Sequence, residues 1–568
     1  VNDNRNLILA IALSVLVLLG WSFFSQKFLP ANPPPKVVNG KVQPAPQPGT
    51  APAPQTEAAA KQSVAQALAS TPRIRISTPS LQGSINLKGA EIDDLLLLKQ
   101  RETIDKNSPP VRLLSPAGAP GAYYASFGWT GQGVQVPGAD TQWTPSAPVL
   151  EPGKPVTLSW NNGGGQTFQL IVSVDDDYLF TVRQQVTNSG AAPVAVRPYG
   201  LISRADKSPD TSRWTMHVGP IAYLDGAAKY GIDWKNLDGG QSQHFTSNGG
   251  WLGFTDKYWL TALAPAGDAS ISADFVGKPA GGYQADYAEP EQVVAPGQTA
   301  SADTRLFAGA KDKQLLDKYE SAGIPKLTKS IDWGWFEWFM RPIFDLLMFL
   351  FHATGNFGVA IICLTFIVRL IMFPIAQKQF KSMAAMRKLQ PKMKAIQERF
   401  KDDKPKQQQE ILKLYQQEKV NPAAGCLPVL LQIPIFYALY KVLMVSVEMR
   451  HQPFVLWIKD LSAPDPMTPV NLFGLIHWNP PVMIAIGVLP ILVGVTQWVS
   501  FKLQPQQMDP AQQQIFSMMP WIMMFFFAQF AAGLQLYYVT SNLLTLAQQW
   551  WLYRRFGLHL SDTHPVHT

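Results

Sequence analysis

Six stretches of this 568-residue chain are long, apolar and nearly free of charge, and they limit its fold more than any other feature. The first covers residues 7–24, an 18-residue uncharged run between Arg5 and Lys27. The others lie at about 356–375, 423–447, 482–501, 515–530 and 533–553. Hydrocarbon offers the backbone no hydrogen-bond partners, so a chain crossing it must be helical, with roughly 20 apolar residues per crossing. The expectation is a multi-span α-helical membrane protein with six transmembrane helices. Charged residues make up only 15% of the chain, against about 25% in soluble domains. The mean hydropathy of −0.01 hides this, because it averages the apolar runs with a long polar segment.

That polar segment reads as a separate domain. Residues 1–27 hold the first span, expected to be an uncleaved signal anchor because Ser25-Gln26-Lys27-Phe28 offers no small-x-small cleavage site. Residues 28–70 are rich in Pro, Ala and Gln, bury too little apolar surface to order themselves, and read as a linker. From 71 to 325 the pattern changes to period two. Arg73-Ile74-Arg75-Ile76 alternates, as do Phe168, Leu170, Val172 and Val174. After Asp175-Asp176-Asp177 the alternation resumes at Tyr178, Phe180 and Val182, which is a hairpin signature. Many short strands over this length predict a large β-sandwich. Residues 330–352 are aromatic-rich but carry Asp332, Glu337, Arg341 and Asp345, so they read as an amphipathic helix lying on the membrane. Residues 353–555 form a five-helix membrane region, and 556–568 a tail.

Charge sets the orientation. The net charge of +8 and pI of 9.2 would suit a nucleic-acid binder, but twelve Lys and Arg crowd into residues 377–420, beside the spans. The 448–481 loop has only Arg450 and Lys459. By the positive-inside rule the 377–420 loop and the C-terminus are cytoplasmic. Six crossings then put the N-terminus inside as well, and the β-domain outside, in a bacterial periplasm. No direct nucleic-acid recognition is expected. Cys363 and Cys426 both sit in apolar stretches and read as buried thiols, with no disulfide framework or metal cluster available.

Arg369 is the sharpest chemical feature. An arginine near the middle of a span costs about 2.5–3.5 kcal/mol on insertion scales, so such residues face a bundle interior or a wet cavity. Snorkelling is the plain alternative, since its position is only about 9 Å from the cytoplasmic end at 1.5 Å per residue. Against it, no Asp or Glu lies in the other spans to pair with it. Thr365 is one turn away. Gln535, Tyr538, Asn542, Thr545 and Gln549 recur at helical spacing, and Gln432, Thr496, Gln497 and Ser500 lie in other spans. These polar residues either hydrogen-bond between helices or line a hydrophilic groove. In the basic loop Met383, Met386, Leu389, Met393, Ile396 and Phe400 repeat near helical spacing, followed by Asp402-Asp403-Lys404-Pro405 and then Ile411, Leu414 and Tyr415. This predicts a cytoplasmic helical hairpin, kinked at Pro391, with an exposed Met stripe suited to apolar partners. Enzyme signatures are lacking: no H-E-x-x-H, and Gly163-Gly164-Gly165 lacks the Lys-Ser/Thr of a phosphate loop. Asp175-Asp176-Asp177 reads as a hairpin tip rather than a calcium loop. His217 and His244 stand alone.

Several motifs resemble the YidC membrane insertase family. Thr365-Phe366-Ile367-Val368-Arg369 with Met372-Phe373-Pro374 and Lys378-Gln379 is similar to its second span. Asn421-Pro422, Gly425-Cys426-Leu427-Pro428, Gln432-Ile433-Pro434-Ile435-Phe436 and Ala438-Leu439-Tyr440 resemble its third. Gly533-Leu534-Gln535-Leu536-Tyr537-Tyr538 and Ser541-Asn542 resemble its last. The resemblance implies a non-enzymatic protein without cofactors or metal, working on nascent membrane proteins in the bacterial inner membrane. It implies a periplasmic β-supersandwich, and a groove open to cytoplasm and lipid but closed to the periplasm. Arg369, Thr365, Gln432, Phe436, Gln535, Tyr537, Tyr538 and Asn542 would line that groove or the surface a substrate slides along. Implied partners are the Sec translocon with its accessory subunits, the ribosome through cytoplasmic loops, and the lipid bilayer. The tail after Arg555 has no Lys or Arg, unlike the Lys-rich tails common in the family, so ribosome contact would fall to the 377–420 hairpin and residues 504–514. A transporter or channel with Arg369 as an anion site is the alternative; it would call for inverted repeats, which the spans lack. An anchored sugar-binding module would need only one span.

Overall fold

The computed structural model describes residues 62–210, 216–279, 281–334, 336–401, 403–418, 427–473, 475–476, 485–503 and 510–555. The first span, most of the linker, the motif around Asn421–Cys426 and the C-terminal tail lie outside the described residues. A short helix, α1 (Val64–Ala69), begins at a capping box in which Ser63 and Gln66 satisfy each other's backbone N–H groups.

Among the described residues, twenty strands between Arg73 and Ala310 form two sheets of eleven and nine strands. Alternation drives the pairing. In Gln166–Val174 every second residue is buried, and the strand pairs antiparallel with Leu179–Asn188 so that Val174 faces Phe180. The two sheets close face to face over one core. Trp129 of the larger sheet meets Phe168 of the smaller at 5.1 Å between ring centroids, and Tyr123 meets Phe254 at 6.4 Å. A buried polar tie crosses the same interface: Gln184 donates to the carbonyls of Gly128 and Tyr199 at 2.6 and 3.2 Å. The sandwich expected from the sequence is therefore present.

Asp175–Asp177 is the tip of the 166–188 hairpin, and the carboxylates of Asp175 and Asp177 are already in use. Asp175 accepts the N–H groups of Asp177 and Leu179, and the hydroxyl of Tyr319 at 2.7 Å. Asp177 pairs with Lys99 and Lys318. Tyr319 and Lys318 belong to α2 (Lys313–Ser321), which is capped by Asp312. The acidic tip thus clamps this helix onto the sandwich.

The chain then enters its helical part. α3 (Glu337–Thr354) buries Met340, Phe344, Leu347 and Met348 on one face and exposes Trp338 and Phe349 on the other. It ends at Gly355, whose φ of +68° a residue with a Cβ adopts only at a cost. α4 runs unbroken from Phe357 to Arg399. The sequence divides this stretch into a span ending near 375 and a separate hairpin arm; the structure joins them in one helix, about 64 Å long at 1.5 Å per residue. Pro391 costs one backbone hydrogen bond, but the good helix formers between Ala384 and Gln390 carry the helix through it. α5 (Lys404–Gln417) folds back on α4: Lys392 pairs with Glu418, and Gln407 donates to the carbonyl of Gln397.

Four further helices complete this part: α6 (Leu427–Val445), α7 (Val488–Leu503), α8 (Pro510–Phe527) and α9 (Ala532–Arg555). α9 packs on α4 and α7, α7 on α8, and α3 on α4 and α6. Among the described residues one helical stretch, Phe357–Lys378, is both long and apolar enough to cross a membrane, and Gln432–Val445, Val488–Lys502 and Ser517–Phe527 are shorter apolar helices.

The loop after α6 caps the end of this bundle. Ala532 donates to the carbonyl of Ala463 and Gly533 to that of Leu461, tying the loop to the start of α9. The buried carboxylate of Asp465 accepts from Leu489 of α7, from Met467, and from the Trp457 indole at 3.0 Å. Gly358 lies so close beneath this loop that a Cβ there would sit 2.0 Å from the Phe454 ring.

The same loop joins the sandwich to the helices. Arg450 donates to the carbonyl of Arg101, and Lys313 forms an ion pair with Asp345 of α3. Lys441, buried in α6, pairs with Asp332 at 3.3 Å. Glu448 accepts the backbone N–H of Lys313 at 3.1 Å and the Ser446 hydroxyl at 2.8 Å. Burial, with Asp312 nearby, pushes its carboxyl up to about 7. A raised acid favours the folded state only while protonated. Its contribution is therefore full below about pH 4.5 and is lost as the pH climbs through about 7. Glu448→Gln is expected to stabilise the protein at pH 8 by about 2 kcal/mol, with little gain at pH 5. Thermal unfolding in detergent at both values is the check; an equal gain at both would exclude titration of Glu448 as the cause.

Candidate functional site

Arg369 lies about 18 Å along α4 from its start, on a face packed against α9. Its Nε donates to Ser541 Oγ at 3.1 Å, and Nη2 donates to the same oxygen. Among the described residues no carboxylate pairs with it. One turn before Ser541, the buried Tyr537 accepts a 2.7 Å hydrogen bond from Gln432 of α6. Three helices thus converge on one polar cluster: Arg369 from α4, Gln432 from α6, and Tyr537 with Ser541 from α9. A fixed cation held by a neutral hydroxyl attracts carboxylates, and reduced dielectric strengthens that attraction over its value in water.

The other candidates sort by position. Phe436 and Tyr538 adjoin the cluster as rings, 6.2 Å apart and perpendicular, each also touching Phe527. Thr365 is fully buried and turns its hydroxyl back to the carbonyl of Ile361. Asn542 donates to Thr496 Oγ1 at 3.0 Å, tying α9 to α7. Gln535, also fully buried, donates to the carbonyls of Phe527 and Phe530 at 2.9 and 2.8 Å. Asn542 and Gln535 tie neighbouring elements together, and Thr365 bonds within its own helix. The reason is physical: a hydroxyl or amide enclosed by apolar helices takes the nearest free backbone or side-chain acceptor.

In the hairpin, the side chains of Met383 and Met386 lie outside the described residues. Met393 is buried with Leu389 and Leu414, and Tyr415 Oη donates to its sulfur at 3.4 Å. The stripe expected to be exposed is, at Met393, the inner seam of the hairpin, because α5 needs an apolar face to pack on. Phe400, half-buried at the turn, has Arg399 and Lys406 each 5.6 Å from its ring centroid. Two residues of consequence escaped the candidate set. Ser541 lies on the 537–541 face of α9, one position off the stripe read from the sequence. Lys441 is a cation in an apolar helix, and that alone marked it for attention.

The YidC periplasmic domain family matches residues 73–346, and the 60Kd inner membrane protein family matches 349–558. The membrane protein insertase YidC of Zymomonas mobilis is 48% identical over 565 residues, covering 98% of this chain and 96% of its own. That of Bradyrhizobium diazoefficiens is 44% identical, with 98% and 97% covered. The chain belongs to the YidC family. A crystal structure of an active YidC insertase with its first transmembrane domain resolved is 22% identical and aligns over 85% of this chain and 93% of its own, with a TM-score of 0.37. The boundary between the two family matches falls inside α3, so α3 bridges the YidC periplasmic sandwich and the YidC helical region. Arg369, Gln432, Tyr537 and Ser541 all fall in the second match.

Proposed function

We propose that this protein is a membrane protein insertase, passing apolar segments of nascent proteins from the cytoplasm into the inner-membrane bilayer. Arg369 is the observation that carries the mechanism: a cation among three helices, held by the neutral hydroxyl of Ser541. An acidic residue in the short leading tail of a substrate would meet it part-way across the membrane, where desolvation would otherwise oppose entry. The apolar segment that follows would leave sideways into lipid, driven by burial at about 25 cal/mol per Å². No nucleotide or cofactor enters this scheme.

The topology that suits it has six transmembrane helices, both termini in the cytoplasm, and the sandwich in the periplasm. In that orientation the α4–α5 hairpin is the element that meets the ribosome, and the sandwich can reach the Sec translocon. The test is insertion by purified protein in liposomes without Sec components, using a single-span substrate with an acidic leading tail. A protease-protected tail that appears only with this protein supports the reading. No protected tail from folded protein, even with the translocon added, would refute it.

A further inference from the structure

The loop between α6 and α7 is built inside out. Its polar side chains include buried ones: Asp465, which accepts from Trp457, Met467 and Leu489, and Thr468, whose hydroxyl donates to the buried Asn471 at 2.9 Å. Val455, Leu456, Leu472, Phe473, Leu475 and Ile476 are exposed instead, Leu456 to 82%. Residues 453–458 and 466–476 contain no Asp, Glu, Lys or Arg.

The backbone adds a second anomaly at the same residues. Leu456, Leu472 and Phe473 have φ of +56°, +49° and +59°. Turns in water fill such positions with Gly, Asn or Asp, because a bulky side chain crowds a left-handed backbone. Hydrogen bonds hold the strain in place: Phe454 N–H donates to the carbonyl of Ile458, and Phe473 N–H to that of Thr468, both at 2.9 Å. Facing water, these residues would carry backbone strain and exposed apolar surface together, and Asn would relieve both. In an apolar solvent the exposed side chains are the favourable choice.

The position of the loop says which solvent that is. Asn356, the N-cap of α4, donates from its side chain to the carbonyl of Phe454 at 3.1 Å, and the Phe454 ring lies against Gly358. These contacts are at the start of Phe357–Lys378, the stretch of α4 able to cross a membrane. The amphipathic α3 reaches the same point, where Phe351 stacks on Phe357 at 4.1 Å between ring centroids. The exposed apolar residues of the loop therefore belong to the end of the bundle at which α4 enters the bilayer.

We infer that the α6–α7 loop is seated in lipid: Leu456, Leu472, Phe473 and their apolar neighbours dip into the leaflet at the start of α4, while the polar interior of the loop fastens them to the helices. Interfacial elements bury apolar side chains about 5–10 Å into the headgroup boundary. The fastening runs through Asn356 to α4, through Asp465 to α7 and through Ala463 to α9. So held, the loop fixes the depth of α4, and with it that of Arg369, about 18 Å further along the helix. That consequence, and the assignment of the leaflet to the periplasmic side, rest on the insertase reading; the contact with lipid does not.

The lipid contact is tested without a substrate. In full-length protein carrying Cys363→Ser and Cys426→Ser, an environment-sensitive fluorophore is attached at Leu456→Cys, at Phe473→Cys, or at Lys154→Cys in an exposed turn of the sandwich. The proteins are placed in phosphatidylethanolamine–phosphatidylglycerol liposomes. A lipid with a nitroxide high on its acyl chain is expected to quench the labels at 456 and 473 roughly twofold or more and to spare the one at 154, and iodide in the buffer to do the reverse. Labels at 456 and 473 as open to iodide as that at 154 would overturn the inference. So would labels shielded from both quenchers, which would mean that protein, a second copy or the first span, covers the loop. Leu456→Asn with Phe473→Asn relieves the strain without a label; it should lower the thermal unfolding midpoint in liposomes, and a raised midpoint would count against lipid. Quenching from the lipid in protein that inserts no substrate would leave the loop's place standing and sink the insertase reading alone.

Discussion

Replacing Arg369 by alanine is expected to slow insertion of a substrate with an acidic leading tail by roughly ten- to a hundredfold, and of a neutral-tailed one by less than about twofold. The estimate comes from charge. Two unit charges 4 Å apart interact by about 4 kcal/mol at an effective dielectric near 20, and partial hydration of an open site reduces this. The surviving 1.4–3 kcal/mol or so corresponds to that range of rates. Arg369→Lys keeps the charge and should retain most of the activity, because Ser541 presents one neutral oxygen rather than a carboxylate that a guanidinium would fork. Raising the salt concentration should narrow the gap between acidic and neutral tails in the wild type. Initial rates of tail protection in liposomes give the comparison. Equal slowing of both substrates would remove the electrostatic step and leave Arg369 a packing residue.

Asp465→Ala should be the most destabilising single substitution in the helical part, by about 3–5 kcal/mol. Its carboxylate accepts from the Trp457 indole, the Met467 N–H and the Leu489 N–H, and it is buried. Truncation strands three donors at once, one of them at the start of α7. Asp465→Asn keeps one acceptor oxygen but turns an amide N–H₂ toward N–H groups, so it should recover only part of the loss. Thermal unfolding in detergent, with proteolysis of the 446–476 loop, reads the effect. An unchanged midpoint with the loop still resistant would mean that the loop is held by its backbone contacts to α9.

How much of this was legible beforehand depended on the range of the interaction. The 166–188 hairpin and the apolar helices are local, and residue patterns a few positions long specify them. Arg369 stood out for the same reason, as a charge inside an apolar run. The continuity of α4 past residue 375 was missed because the change from apolar to basic composition there was read as the end of a span, although a helix continues across such a change. Gln535 and Asn542 were placed in a polar stripe, yet one latches a turn and the other ties two helices. Periodicity tells which face a residue is on and is silent on the acceptor that waits there. Ser541 gained its role from α4, and Lys441 from Asp332 in a segment preceding α3.

By itself the sequence determined the alternation that makes a sandwich, the apolar runs that become helices, and the motifs that point to the family. Those properties belong to single segments, and hydrophobic burial acts on each segment whatever its neighbours. Only the tertiary structure decided which polar side chains remain available. A buried hydroxyl, amide or charge takes whichever partner the packing brings within about 3 Å, and that partner usually lies on another element. Packing set Ser541 beside Arg369, tied Asn542 to Thr496 and Gln535 to the carbonyls of Phe527 and Phe530, and turned the Thr365 hydroxyl back on its own helix.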